Sequence, residues 1–199
     1  MSATIGDVRN DTTAIYEAET AVVARLYELS FAAEYGYGST AEAIESARSA
    51  RRHADRAVLA TAVANPVLAA KHEAQSVAAD EDAARMCRRA QGYSDDLTSG
   101  LQSAKELVDR ALGHARSLVG LDDSSPAAAI HAKIAAQADE LESWAARVED
   151  IRTHLTDSRD PGELQQAADQ FVALRHELEE GSGRAQEIAS ESLDYGNRL

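Results

Sequence analysis

The chain predicts an all-α protein, an elongated antiparallel helical bundle of coiled-coil-like hairpins with about five to six helices. Three observations lead there. Strand formers are sparse: aromatics make up 5% of the residues, and there are only three prolines to interrupt helices. Apolar residues recur in alternating steps of three and four along long stretches, which lines them up on one face of a helix. The stretches are separated by glycine, proline or Asn/Asp/Ser punctuation that reads as stops and caps.

The first helix follows Ile15, Ala18, Val22, Leu26, Leu29 and Ala33, and Ile5, Val8 and Thr12 extend it back, giving a span of about 3–35. Tyr35-Gly36-Tyr37-Gly38 reads as a turn, and Ser39 with Glu42 as the capping box of a second helix over about 40–64. That helix has a seam of small residues: Ala43, Ala47, Ala50, Ala54, Ala57, Thr61 and Ala64. Asn65-Pro66 then pairs a cap with a first-turn proline, and the apolar phase slips to Val67, Ala70, Ala74 and Val77. A break there, opening a third helix over about 66–91, is favoured over one kinked rod. A fold-back at residue 65 sets Arg48, Arg51 and Arg52 opposite Asp80, Glu81 and Asp82. It also sets Glu42 and Glu45 opposite Arg85, Arg88 and Arg89. Gly92-Tyr93-Ser94-Asp95 reads as a stop and a new cap. A fourth helix over about 95–119 carries Leu97, Leu101, Ala104, Val108, Ala111, Ala115 and Leu118.

Residues 120–125 read as a linker between an N-terminal helical bundle, 1–119, and a C-terminal antiparallel hairpin, 126–199. The hairpin's first helix, about 126–156, has the cleanest pattern in the chain: Ile130, Ile134, Leu141, Trp144, Val148, Ile151 and Leu155, with the polar Gln137 filling the one gap. This is the candidate interaction seam. Asp160-Pro161 with Glu163 opens the last helix, about 161–195, along Leu164, Ala167, Phe171, Leu174, Leu178, Ala185, Ile188 and Tyr195. Its phase is unchanged across Gly181-Ser182-Gly183, so this is either a continuous helix with a close contact at Gly181 or a joint held in register. The short link makes the two helices antiparallel neighbours. Pairing them is expected to bury Trp144 and to make Gln137 a register-setting position.

Charge narrows the partners. A net charge of −14 opposes the counterion-releasing contacts of nucleic-acid binding and docking on anionic lipid. Only residues 51–100 are balanced in charge. The first residues have no apolar run, and no stretch approaches the ~20 apolar residues of a membrane span. A cytoplasmic location is expected, with signal-less specialised secretion left open.

Few residues carry the spacing that chemistry needs. No Glu is followed three residues later by a His, as a carboxylate-bridged di-iron bundle requires, and His72-Glu73 and His176-Glu177 lack the second His of a zinc-protease helix. Gly36-Tyr37-Gly38 follows a helix and not a strand, so it is no dinucleotide loop. Cys87, among Arg85, Arg88 and Arg89, falls on a small-residue seam with Ala83 and Ala90 and reads as a packing cysteine. No catalytic residue, cofactor, metal or small-molecule substrate is assigned.

One tetrapeptide stands apart. Arg175-His176-Glu177-Leu178 resembles the start of the phospho-accepting box of sensor histidine kinases and is similar to the motif of histidine phosphotransfer domains. That resemblance implies a phospho-acceptor His176 on a bundle helix, with Glu177 assisting the imidazole as a base. The match then departs: Glu179-Glu180-Gly181 stands where the kinases have Arg-Thr-Pro. The expectation from the residues is a non-enzymatic helical scaffold or protein–protein interaction protein that self-associates or takes a protein partner. The alternative is a phosphorelay or regulatory bundle using His176.

Overall fold

The computed structural model describes residues 5–121, 125–156 and 159–198. They form four α-helices: α1 (Ile5–Ala62), α2 (Pro66–Leu121), α3 (Ser125–Leu155) and α4 (Pro161–Arg198). The described residues contain no strand, and no helix among them is long and apolar enough to cross a membrane. Of the expected 120–125 linker, residues 122–124 lie outside the described residues, and α2 runs on to Leu121.

The count of five to six helices is corrected to four. The expected turn at Tyr35–Gly38 and the expected stop at Gly92 are both helical, so two pairs of expected helices fuse into α1 and α2. The cause lies in the phase of the buried positions. In α2 the series Ala83, Cys87, Ala90, Ser94, Leu97 and Leu101 keeps alternating four and three through the Gly92 region. In α1 Ala33, Gly36, Thr40 and Ala43 do the same. A helical glycine costs roughly 1 kcal/mol relative to alanine, too little to stop a helix whose face is buried on both sides of it. No glycine among the described residues has a positive φ. Gly36 serves close approach instead: a Cβ there would meet the Phe171 ring, with Cζ at 2.6 Å.

The break at residue 65 is present. Ala64 adopts a left-handed φ of 55°. The Asn65 amide donates to the Ala60 carbonyl at 2.9 Å and the Ala64 amide to Thr61 at 3.0 Å, which closes α1 in a Schellman motif. Asn65 then caps α2 by accepting from the Leu68 amide at 3.1 Å, with Pro66 in the first turn. The expected charge pairing across this fold-back is corrected. Arg48 pairs with Glu45, Arg51 with Asp160, Asp82 with Arg85, and Asp80 with Arg159. Partners three residues away on the same helix, and the link between α3 and α4, reach these side chains first. The Asp160 carboxyl is held below its usual range by Arg51 first and by the Gly162 amide second. It also caps α4, accepting from Gly162 at 2.7 Å.

The chain divides into two compact units, each drawing on all four helices. The first comprises Met1–Phe31, Asp96–Arg147 and Leu174–Leu199. In it, Lys133 bonds Glu187 and Glu191 while Arg147 bonds Glu177, so numbers rise on α3 as they fall on α4. Lys105–Glu142 joins α2 to α3, His114–Asp11 joins α2 to α1, and Ser182 donates to the Val23 carbonyl of α1. Glycine again seats large side chains. Leu29 lies on Gly100, Trp144 on Gly181 and Thr12 on Gly196. Gly181 therefore sits in a continuous helix at a close contact.

The second unit comprises Ala32–Asp95 and Val148–Ala173. Phe171 fills the notch at Gly36, Tyr35 stacks on Tyr93 with centroids 5.8 Å apart, and Gln91 donates to the Leu155 carbonyl at 3.1 Å. α3 and α4 meet their link beside Arg51 and Asp80. Past that level α1 and α2 pack on each other, with Ser76 bonded to Ala50 and His53 stacked on His72.

Candidate functional site

The end of the α1–α2 hairpin, within the second unit, is an apolar surface. It exposes Val58, Leu59, Val63, Val67, Leu68 and Val77, with Val63 at 73% and Val67 at 80% of their full accessibility. At ~100 Å² of apolar surface per Val or Leu side chain, these six leave on the order of 400 Å² in water. Patches of that size on soluble proteins mark contact surfaces. Between the helices runs a groove of about 550 Å³ lined by Ala54, Ala57, Val58, Thr61, Ala62, Glu73, Ser76 and Val77. Its floor is built from small side chains, as expected for the alanine seam, so the backbones lie close. Ser76 donates to the Ala50 carbonyl across it at 3.0 Å.

Beside the groove His53 of α1 and His72 of α2 meet, Nδ1 to Nδ1, at 3.3 Å, with ring centroids 5.5 Å apart. Gln75 Oε1 lies 3.1 Å from the same His72 nitrogen. The His53 pKa is lowered, first by loss of water and then by His72, Arg56 and Arg52.

The expected interaction seam lies inside the fold. Ile130, Ile134, Leu141 and Trp144 are buried in the first unit, and Val148, Ile151 and Leu155 in the second. Trp144 is 3% exposed, against the Gly181 backbone. The seam is covered by this chain's own helices. Cys87 is buried, and burial raises its thiol pKa more than Arg159 and Arg88 lower it. The arginines noted beside it in sequence therefore do not make it a reactive thiolate.

His176 has a side chain 73% exposed, and its Nε2 lies 3.3 Å from Glu180. Glu177, the base that the kinase resemblance implies, is bridged to Arg147 at 2.6 Å. Arg175 bonds Glu179. The imidazole and its expected base thus each face a different charged neighbour. Among the described residues no three or more His, Cys, Asp or Glu side chains gather to hold a metal ion.

One site was not anticipated. Glu19 and Gln137 face each other in the core of the first unit, both buried, and neither finds a well-formed hydrogen bond for its polar atoms. Burial raises the Glu19 carboxyl to about 7, against a smaller lowering by the Gln137 amide. The signal was available. Between Ile15 and Val22 there are two inward positions, Ala18 three residues on and Glu19 four residues on, and both are buried. Reading Ala18 as the apolar choice hid the carboxylate.

No family model, curated protein or solved structure matches the chain.

Proposed function

We propose that this protein is a non-enzymatic helical scaffold or adaptor, a bundle with coiled-coil-like seams that binds a protein partner or a second copy through the α1–α2 hairpin end. The observation that carries this is the exposed apolar end itself. Elsewhere on α1 and α2 the inward positions are buried by other helices, while here Ala54, Val58 and Val77 border an open groove. An amphipathic helix laid in such a groove buries apolar anchors at i, i+3 and i+4 spacing. The partner is thus a helix-bearing protein, not nucleic acid, lipid or a small-molecule substrate, and the place of action is the cytoplasm.

A photoreactive residue at position 58 or 77 of the full chain, in its native cells, is expected to yield discrete protein adducts. Val63→Asp in the same chain is expected to lower their yield more than about ten-fold, because it desolvates a charge at the centre of the patch. Val63 is exposed, so the substitution leaves stability within ~0.5 kcal/mol. Adducts equally strong from position 172, a lone exposed valine, or none from 58 and 77, defeat the assignment.

The second reading, a phosphorelay through His176, draws on the solvent-facing imidazole. Incubation with acetyl phosphate decides it: an acid-labile label lost in His176→Ala supports it, and no label dismisses it.

A further inference from the structure

We propose that His53 and His72 form a divalent transition-metal site that clips α1 to α2 beside the hairpin end, taking zinc, nickel or copper(II), with water completing the coordination. Two imidazoles from different helices bring their Nδ1 atoms to 3.3 Å. Zinc–nitrogen bonds of about 2.0–2.1 Å at a tetrahedral angle span about 3.3–3.4 Å between donor atoms. The two nitrogens are therefore already one ligand edge apart.

In the metal-free arrangement a single proton shared between the nitrogens holds the rings together. When a metal ion enters, the shared Nδ1 proton passes through solvent to Nε2 of the same ring, and small rotations of both rings turn their lone pairs to a common point. The two neutral imidazoles then both carry their proton on Nε2, so no proton need be released. His72 gives up its contact with Gln75 Oε1 in exchange. Both histidines are half-buried, so solvent reaches the open coordination positions.

The charged groups around the pair set its selectivity. Arg52 and Arg56 of α1 lie close to His53, and Gln75 is the polar neighbour on α2. The same arginines oppose a dication, and no carboxylate joins the pair. Hard ions such as magnesium and calcium are thus disfavoured, while ions with a strong preference for imidazole are taken. This site stands apart from the partner-binding proposal and does not rest on it.

The test is a calorimetric titration of the untagged full chain with nickel chloride and zinc chloride at pH 7.5. One ion is expected per chain. His53→Ala and His72→Ala are each expected to weaken binding more than about ten-fold, and His176→Ala to leave it unchanged. His72→Gln, which keeps the side chain's bulk, guards against loss of local structure, and circular dichroism confirms unchanged helicity. Nickel is also expected to raise the melting temperature of the wild type and not of the two histidine variants. Binding is expected to weaken on acidification, because protons compete with the metal for the imidazole nitrogens. No saturable binding at millimolar metal, or binding that survives loss of both histidines, overturns the assignment and leaves a proton-sharing pair only.

Discussion

Trp144→Ala is expected to cost about 3–5 kcal/mol of folding stability, the largest loss from any single truncation in the first unit. The indole is 3% exposed and rests on the Gly181 backbone of α4, where any Cβ would collide with it. Removing it leaves a cavity bounded by helix backbone, and backbone relaxes little. Gly181→Val attacks the same contact from the other side. The double variant is therefore expected to lose less than the sum of the two single losses, since both destroy one interaction. Urea unfolding followed by circular dichroism measures this, because Trp144 is the only tryptophan and cannot report on its own removal. Additive losses would mean that the indole and the glycine do not share a contact.

The second large effect concerns Glu19 and is a gain. Its carboxyl has a folded-state pKa of about 7 against an ordinary 4.5, with burial as the main cause. The raised value means the fold favours the protonated form. Below pH 4.5 both folded and unfolded chains hold the proton and nothing is lost. Between 4.5 and 7 the unfolded chain gives it up while the fold retains it, so stability falls as pH rises and levels off above 7. The loss amounts to roughly 3 kcal/mol at pH 8. Glu19→Leu, similar in volume, is expected to recover most of it at pH 8 and to gain far less at pH 4. Equal effects at the two pH values would show that the buried carboxylate is not what titrates. Its neighbour Gln137, expected from the sequence to set register, is likewise buried without a hydrogen-bond partner for its amide.

Much of the fold was legible because it depends on spacing. The caps at Asn65-Pro66 and Asp160-Pro161, the inward face of α3 and the antiparallel pairing of α3 with α4 all follow from residue type and periodicity. The glycines are ambiguous in sequence because two physical uses of glycine look alike in one dimension. At a turn it supplies a left-handed backbone; in a helix it makes room. Gly36 makes room for Phe171, a residue far along the chain, and nothing local to Gly36 reveals that. In the one real turn between α1 and α2 the left-handed residue is Ala64, not glycine. The charge register across that turn failed for a related reason: Asp160 and Arg159, remote in sequence, take Arg51 and Asp80.

The candidate site was harder still. A regular seam attracts attention as a surface for partners, yet Ile130–Leu155 is the face the chain uses up on itself. The open surface lies where the pattern is poorest, in Val58, Val63, Val67 and Val77, because a seam without covering helices need not keep strict phase. The hairpin end runs on beyond Arg51 and Asp80, which meet Asp160 and Arg159 of the α3–α4 link, and no local pattern discloses that.

Hydrogen exchange of the free chain, read by mass spectrometry, tests this contrast most directly. Backbone amides over residues 130–148 are expected to exchange only through extensive unfolding. Those over 56–70 are expected to exchange much faster, since few buried apolar contacts hold that end closed. Rapid exchange across 130–148 together with strong protection of 56–70 would contradict a closed Trp144 seam and an open hairpin end.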